Sequence, residues 1–330
     1  MANLRAGLVG LGMMGRHHAR VLASLPGVDF IGVSDPAGDA QGVAQGRTVV
    51  ATVQELIELG IDYAMVAVPT IYHLEIGKQL AAAGIHAMVE KPLSHDTASS
   101  KELTKAFSDA GLVGAVGHIE RYNPSLQEAR RRLDQIGSLY QVVTRRQGPF
   151  PARIADVGVV KDLATHDIDL TSWITGQAYT SVSARTALRT GRVHEDLVAV
   201  VGTLQDGTVT NHLVNWLSPL KERVTILTGE KGAFVADTLT ADLTFYANGT
   251  VTSGWDEIAQ FRGVSEGDVI RYAIAKHEPL RMEHEHFRDA VLGKPSDIVT
   301  MEQGLATVVV AESIIESANT NSTVIIPTSR

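Results

Sequence analysis

The sequence contains no cysteine. A disulfide framework and thiolate chemistry are therefore excluded, and the composition fits a reducing compartment. No apolar run approaches the roughly 18 residues that a transmembrane helix needs, so we expect no membrane span. The formal net charge of −8 gives no indication of a nucleic-acid groove, and the opening MANLRAGLVG is too short and too glycine-rich for a signal peptide. We therefore expect a cytoplasmic protein.

The 330 residues and the 44% share of hydrophobic side chains predict about two domains with a large buried core. In the first third, short apolar runs alternate with helical patterns. The apolar runs cover residues 5–9, 29–34, 63–68, 86–89 and 113–116. The helical patterns cover residues 13–25, 54–59, 71–83 and 98–110. Strands that are apolar on both faces are typical of parallel sheets covered by helices, so we predict a doubly wound α/β domain over residues 1–119.

After residue 119 the pattern changes to strand-like runs joined by hairpin turns. Gln205-Asp206-Gly207, for example, separates VAVVGTL from TVTNHLV. Such turns predict an antiparallel or mixed sheet with a few helices. We therefore expect a second domain of the α+β class over residues 120–330.

A glycine-rich turn follows the first apolar run. Gly10, Gly12 and Gly15 form G-x-G-x-x-G at the start of the first helical pattern, with Met13 and Met14 inside the turn. The first glycine permits the tight turn, the second lets the backbone approach a pyrophosphate, and the third allows close packing of helix on strand. We predict that these five positions bind a dinucleotide.

Asp35 ends the second apolar run, 20 residues after Gly15. A carboxylate at this place accepts hydrogen bonds from a ribose 2′-hydroxyl and repels a 2′-phosphate, and no Lys or Arg follows before Arg47. We therefore predict NAD rather than NADP as the cofactor. The alternative is a glycine turn with a capping Asp and no bound nucleotide.

Two later segments, Val68-Pro69-Thr70 and Glu90-Lys91-Pro92, follow or end apolar runs. Ligands of open α/β sheets bind at the carboxyl ends of the strands, so we expect both segments to contact the cofactor. Lys91 would then point toward the nicotinamide. The alternative is an ordinary solvated lysine.

Four segments together resemble the glucose–fructose oxidoreductase / inositol dehydrogenase (Gfo/Idh/MocA) family: GLVGLGMMGRHHA, VAVPTIYH, VEKPL and KDLATHDIDL. The resemblance implies an N-terminal Rossmann domain and a C-terminal α/β domain with a large, mostly antiparallel sheet. It also implies hydride transfer between NAD(P) and a sugar or cyclitol carbon. A homodimer or homotetramer joined through the exposed face of the C-terminal sheet is expected on the same ground.

The resemblance also assigns roles by position. Lys91 matches the lysine of the family's E-K-P motif, and Asp162 and His166 match its D-x-x-x-H pair. Asp169 matches the substrate-binding acid that follows, and His73, which ends VAVPTIYH, joins the cofactor-binding positions.

The residues themselves support a catalytic reading of the Asp–His–Asp stripe. Asp162, His166 and Asp169 recur at i, i+4 and i+7, so a helix places them on one face. Oxidation of a secondary alcohol needs a base, and a histidine has an ordinary pKa of about 6.5. We predict His166 as the base, Asp162 as its orienting partner or a substrate ligand, and Asp169 as an acceptor for sugar hydroxyls. Lys91 would hold the reacting oxygen or relay the proton, and the alternative for the stripe is an exposed helix face.

A narrower resemblance rests on GHIERYNPS (117–125) and RRQGPFPARIADVGVVKDLATHDID (145–169). These segments are similar to enzymes that oxidise the 3-hydroxyl of UDP-N-acetylglucosamine or its uronic acid, although Lys161 departs from the apolar or small residue expected there. Arg146 and Arg153 would then bind the substrate diphosphate, with ordinary surface charge as the alternative. Neighbouring residues on a strand face opposite ways, so Arg145 and Arg146 cannot both point inward.

The run Arg121, Tyr122 and Asn123 follows the last strand of the first domain, and we expect it at the sugar or nicotinamide pocket. The alternative is that Asn123 simply caps the next helix. His284-Glu285-His286 and His17-His18 lack the spacing of metal ligands, so we predict no metal site.

Three functions remain open at this point. The leading one is an NAD-dependent dehydrogenase of a UDP-linked N-acetylated amino sugar. The second is an inositol or free-sugar dehydrogenase with the same catalytic residues, and the third is a non-catalytic NAD-binding sensor.

Overall fold

The computed structural model describes residues 3–150, 157–249 and 266–327. They form two compact units. The first runs to Ile119 and takes up Glu278–Glu312 again, and the second comprises Glu120–His277 and the residues from Ser313 onward. The expected second domain, 120–330, is thus interrupted, because residues 278–312 pack with the first unit.

Core contacts explain this return of the chain. The ring of Phe287 meets the ring of Tyr63 edge to face, with centroids 5.5 Å apart. Val299 and Met301 lie in the same buried cluster as Val116. These side chains cover strands of the first unit that would otherwise expose apolar surface.

The first unit contains a six-stranded sheet in the order β3-β2-β1-β4-β5-β6, in which every pair is parallel. Its strands are β1 (Leu4–Val9), β2 (Val28–Ser34), β3 (Thr48–Val50), β4 (Tyr63–Val66), β5 (His86–Glu90) and β6 (Gly114–Gly117). Its helices are α1 (Gly15–Leu22), α2 (Val53–Glu58), α3 (His73–Ala82), α4 (Thr97–Asp109) and α7 (Pro279–Val291). The prediction of a doubly wound Rossmann sheet is confirmed.

Both faces of this sheet are buried over most of its area, which explains why its strands are largely apolar. Leu8 of β1 and Met65 of β4 point into one buried cluster, whereas Val9 and Val66 point into another. The strand order reverses between β1 and β4, and ligands of such sheets bind at the carboxyl ends of the strands near that reversal. The segments after Val9 and Val66 are therefore the ones to inspect for a nucleotide site.

The second unit is built on a nine-stranded sheet in the order β14-β13-β12-β11-β7-β10-β9-β8-β15. Its strands are β7 (Leu139–Pro149), β8 (Tyr179–Ala187), β9 (Leu197–Leu204), β10 (Val209–Asn215), β11 (Leu217–Gly229), β12 (Gly232–Asp237), β13 (Asp242–Asn248), β14 (Glu266–Arg271) and β15 (Val324–Ile325). Only β10 and β7 pair in parallel among these described strands. The expected large, mostly antiparallel sheet is confirmed.

Helices cover one face of this sheet. They are α5 (Pro124–Arg131) and α6 (Thr165–Thr175). A further helix, α8 (Met301–Thr320), belongs to both units, because the division between them falls after Glu312. Leu170 and Trp173 of α6 share a buried cluster with Val142, Leu227 and Phe234 of the sheet. Among the described helices, none combines the length and the apolar character that crossing a bilayer requires.

Candidate active site

Steric contacts within the chain require two of the three glycines of the turn after β1, and the third lies against open space. Gly10 has a φ of +95°, and a Cβ there would lie 2.6 Å from the carbonyl oxygen of Ala67. A Cβ at Gly15 would collide with the carbonyl oxygen of Gly10, so this glycine lets α1 start against the turn. A Cβ at Gly12 would meet nothing within 4 Å. The chain at Gly12 thus leaves open space, as the close approach of a pyrophosphate requires.

The start of α1 and Asp35 complete this side of the site. Helix α1 has no side-chain N-cap and no acidic residue in its first turn, so its N-terminal dipole favours an anion. The Asp35 carboxylate accepts hydrogen bonds from the backbone N–H of Leu11 at 2.7 Å and of Ala37 at 2.9 Å. These bonds hold a partly exposed acid beside the glycine turn, where a ribose would follow the diphosphate. The residues present therefore fit NAD.

His73 joins the chain segments that follow β4 and β5. Its buried ring places Nε2 3.0 Å from the carbonyl oxygen of Val68 and Nδ1 3.0 Å from that of Pro92. Burial lowers the pKa of His73, so the ring is neutral at neutral pH and only one of its nitrogens donates. His73 therefore ties the two segments together, and its direct contact with the cofactor stays a prediction. Pro69 and Thr70 begin the short turn between Val68 and His73.

Glu90 and Lys91 lie at the carboxyl end of β5, as predicted. Lys91 is partly buried and is followed by a cis bond to Pro92. Glu90 is 8% exposed, and its carboxylate accepts hydrogen bonds from the backbone N–H of Lys91 at 3.1 Å and from His18 at 2.9 Å. Glu90 therefore supports the segment from inside the protein, and its assignment as a cofactor-binding residue stays a prediction.

In the second unit, the segment carrying Asp162 and His166 is not one continuous α-helix. Residues Val160–Ala164 form a wider π-helical turn, and α6 begins after it. Glu195, which no sequence motif singles out, anchors this turn, because its carboxylate accepts a hydrogen bond from the backbone N–H of Val160 at 3.1 Å. Turns of this kind occur frequently at functional sites. Asp162 and His166 are both partly exposed.

Asp169, the third member of the stripe, is buried and paired with Arg121. Arg121 Nε donates to Oδ2 at 2.8 Å and Nη2 donates to Oδ1 at 2.6 Å. Both residues were expected to bind substrate, whereas the structure places them in a forked ion pair with each other. Helical spacing predicted Asp169 on the same face as His166. The segment that carries Arg121 packs there, so Asp169 is buried.

Tyr122 and Asn123 lie beside this ion pair in sequence and are also buried. The Asn123 side chain caps α5 by accepting the backbone N–H of Ser125 at 3.1 Å, and it donates to the carbonyl oxygen of Thr238 at 3.0 Å. Asn123 therefore caps the next helix, a role that is compatible with its expected place at the pocket, which stays a prediction.

Arg145 and Arg146 face opposite sides of β7, as strand alternation requires. Arg146 is 4% exposed, and it donates from Nη1 to Glu120 at 2.8 Å and from Nε to Asp167 at 3.1 Å. Burial alone would lower the pKa of Arg146, but the charges of Asp167 and Glu120 raise it. Arg145 is exposed and pairs with Glu222 at 2.9 Å. Two carboxylates already hold the guanidinium of Arg146, and its expected contact with a diphosphate stays a prediction. Arg153 lies outside the described residues.

Arg223 of β11 is a candidate that sequence reasoning missed. Its Nη1 donates to the backbone carbonyls of Gln147 at 2.6 Å and Glu222 at 2.8 Å, which fixes the guanidinium. Its Nε and Nη2 have no hydrogen-bond partner in the part of the chain that the structure describes. Burial, followed by the charge of Arg146, lowers the pKa of Arg223, and the charge of Asp162 acts in the opposite sense. A fixed, partly exposed cation with spare donors therefore lies within electrostatic range of Asp162.

The chain matches two family models across most of its length. Residues 4–118 match the model described as the GFO_IDH_MocA oxidoreductase family, NAD-binding Rossmann fold. Residues 134–326 match the model of the C-terminal alpha/beta domain of the same family. Both halves of the expected resemblance are thereby confirmed.

Two of the similar proteins are named for different kinds of substrate. The UDP-N-acetylglucosamine 3-dehydrogenase of Acidithiobacillus ferrooxidans is 29% identical over 296 residues, which cover 88% of this chain and 90% of that protein. Its solved structure, that of GnnA, superimposes with a TM-score of 0.85 over 97% of this chain and 99% of that chain, at 25% identity.

The second group is represented by the scyllo-inositol 2-dehydrogenase (NAD(+)) of Bacillus subtilis, which is 32% identical over 192 residues. This match covers 54% of the present chain and 56% of that protein. Both relatives are dehydrogenases of carbohydrate-like alcohols. The chain belongs to the Gfo/Idh/MocA oxidoreductase family, and it is an NAD-dependent dehydrogenase acting on a sugar or cyclitol.

Proposed function

We propose that the protein oxidises a secondary hydroxyl, that at C3, of a UDP-linked N-acetylated amino sugar. The observation that carries the proposal is the extent of the similarity. The match to the UDP-N-acetylglucosamine 3-dehydrogenase runs through both domains, over 88% of this chain, whereas the match to the inositol dehydrogenase covers 54%. Substrate contacts in this family are expected from the second domain, so similarity there bears on the choice of sugar.

Bound NAD would supply the acceptor for the hydride of the alcohol carbon. The open chain at Gly12 and the start of α1 would hold its diphosphate, and Asp35 would hold its adenosine ribose. The proton of the same hydroxyl goes to His166, with Asp162 orienting the imidazole. Lys91, as an ammonium, holds the hydroxyl oxygen and stabilises the negative charge that develops as the proton leaves.

The substrate diphosphate needs a cation that is not already neutralised. Arg146 does not meet this condition, because Glu120 and Asp167 hold it. Arg223 does, because two carbonyls fix one edge of its guanidinium while its Nε and Nη2 have no partner among the described residues. We therefore assign Arg223, together with the sequence candidate Arg153, to the diphosphate; a guanidinium matches phosphate oxygens in a forked geometry.

We further propose a homodimer or homotetramer formed through the face of the nine-stranded sheet that α6 does not cover. A largely apolar row crosses this face in register: Val201 on β9, Asn211 on β10, Val143 on β7, Ile226 on β11 and Val235 on β12. Each of these side chains is partly or fully exposed in the single chain. An apolar surface of this kind is typical of a subunit interface. Light scattering should give a mass of two or four chains, and Ile226→Glu should yield monomers; a monomeric wild type would contradict the assembly.

The substrate test is direct. The purified protein with NAD is offered UDP-N-acetylglucosamine, its uronic acid, scyllo-inositol, myo-inositol and glucose, and NADH formation is followed by absorbance. We expect turnover of a UDP-sugar, with the 3-keto product identified by NMR. Turnover of an inositol or of glucose alone would favour the second candidate function, which the 32% identity to the scyllo-inositol dehydrogenase supports.

A further inference from the structure

Three buried side chains from distant parts of the sequence form a hydrogen-bonded chain behind Lys91. Glu90 ends β5, His18 lies on α1 and His284 lies on α7. The distance from His18 Nε2 to Glu90 Oε1 is 2.9 Å, and that from His18 Nδ1 to His284 Nε2 is 2.8 Å. His18 is 0% exposed and His284 is 1% exposed. All three residues belong to the first unit.

The chemistry of these groups fixes where most of the hydrogens lie. Burial alone would raise the pKa of Glu90, but the hydrogen bond from His18 and the charges of His18 and Lys91 bring it below its ordinary value, so the group is a carboxylate. A carboxylate only accepts, and His18 Nε2 must therefore carry a hydrogen. Burial and the charge of His18 lower the pKa of His284 well below its ordinary value, so His284 is neutral. One shared hydrogen then bridges the two imidazoles.

The other carboxylate oxygen of Glu90 contacts the backbone of Lys91. Oε2 accepts the backbone N–H of Lys91 at 3.1 Å, and the charge of Lys91 is among the causes that lower the pKa of Glu90. Gly117 of β6 leaves little room on the other side: a Cβ there would lie 3.3 Å from the Glu90 carboxyl carbon. Glu90 is thus confined between β6 and His18, and its position dictates the position of the Lys91 backbone.

We propose that Glu90, His18 and His284 are positioning residues that hold Lys91 in its reactive place and balance its charge. The inference rests on the proposed function only in taking Lys91 as a group that acts on the substrate oxygen, and it is independent of which sugar is oxidised. Removal of His18 leaves a buried carboxylate with one donor fewer, so Glu90 shifts and carries Lys91 with it. None of the three residues belongs to the glycine turn that would hold the NAD diphosphate.

The test is a double-mutant cycle between His18 and Lys91, using whichever sugar or cyclitol the wild type oxidises. His18→Met is expected to lower kcat by about tenfold or more while the KM for NAD changes by less than about twofold, because only an interaction made during the chemical step is lost. His18→Gln keeps an amide donor toward Glu90 and should restore most of kcat. His17→Met, on the exposed side of the same helix, is the matched control and should behave as the wild type.

The decisive readout is the Lys91→Ala background. If His18 acts through Lys91, His18→Met has no further effect on the residual single-turnover rate there, whereas independent roles give multiplied losses and overturn the proposal. If thermal unfolding shows that His18→Met is not folded, His284→Met takes its place, because it leaves the bond between His18 and Glu90 intact. Its expected effect is a loss of about threefold in kcat, which should again be absent in the Lys91→Ala background. Full activity of Lys91→Ala itself would refute the role of Lys91 in the proposed function, which is a separate outcome.

Discussion

Arg121 and Asp169 form a buried, forked ion pair, with Nε–Oδ2 and Nη2–Oδ1 distances of 2.8 and 2.6 Å. The pair fixes the start of α5 to α6. Replacing one partner leaves the other charge buried, which costs about 3–5 kcal/mol. We therefore predict that Arg121→Met lowers the free energy of unfolding of the second unit by that amount, measured by urea denaturation. The double variant Arg121→Met, Asp169→Leu should recover much of the loss; if it is as unstable as the single variant, the ion pair is not the cause.

Arg223 should determine affinity for the substrate diphosphate. Loss of a charge-assisted hydrogen bond costs about 1.5–3 kcal/mol, so Arg223→Met should raise the KM for a UDP-sugar by about 10- to 150-fold with little change in kcat. Arg145→Met is the matched control, because Arg145 is a neighbouring exposed arginine paired with Glu222. Steady-state kinetics measure both variants. Equal effects of the two substitutions, or the same effect of Arg223→Met on a neutral sugar, would contradict the assignment.

His166 should be essential for the chemical step. A general base contributes about 10²- to 10⁴-fold, so His166→Ala is expected to lower kcat by that factor. The Kd for NAD, measured by NADH fluorescence or calorimetry, should remain unchanged because the dinucleotide residues belong to the first unit. Asp162→Asn should give a smaller loss, since it removes the orienting charge and keeps the base. Substantial residual turnover by His166→Ala would exclude His166 as the base.

His212 should make the second unit less stable in mild acid. Burial lowers the pKa of His212 from 6.5 to about 4, and its ring lies 2.8 Å from both the Thr144 hydroxyl and the Tyr179 hydroxyl. His212 binds a proton near pH 6.5 in the unfolded chain, but only near pH 4 in the folded protein. Stability is therefore complete above about pH 6.5 and falls as the pH drops toward 4, by about 3 kcal/mol in total.

The matching experiment compares urea denaturation of the wild type and of His212→Gln between pH 7 and pH 5. His73 and His284 also have lowered pKa values, so the wild type slope contains several contributions. The difference between the two proteins isolates His212. We expect a shallower dependence on pH in His212→Gln, and parallel curves would show that this histidine does not set it.

Periodicity predicted the sheet of the first unit well, because β1, β2, β4, β5 and β6 are largely buried on both faces and consist mostly of apolar residues. It did not predict β3, a three-residue strand at the edge of the sheet whose residues are exposed or only half buried. The glycine turn was equally predictable from the sequence, because the steric reasons for Gly10 and Gly15 are local. Local rules therefore sufficed wherever the determining contacts are close in sequence.

The candidate site shows where local rules stop. The spacing of Asp162, His166 and Asp169 suggested one functional face. Arg121, 48 residues away in sequence, forms a buried ion pair with Asp169, which the spacing could not predict. Strand alternation indicated that only one of Arg145 and Arg146 faces inward. It could not indicate that Asp167 forms an ion pair with the inward-facing arginine. His18 and His284, which are 266 residues apart, were each judged by their immediate neighbours. Their meaning comes from a contact that no local pattern encodes.

The return of Glu278–Glu312 to the first unit has a consequence for biosynthesis. Phe287 and Val299 belong to the interior of the nucleotide-binding unit, yet they leave the ribosome after nearly all of the second unit has emerged. Until then, the nascent Rossmann sheet carries an uncovered apolar strip. An isolated fragment ending near Ile119 should consequently be prone to aggregation, and the final helices act as the closing step that commits the whole polypeptide to its mature form.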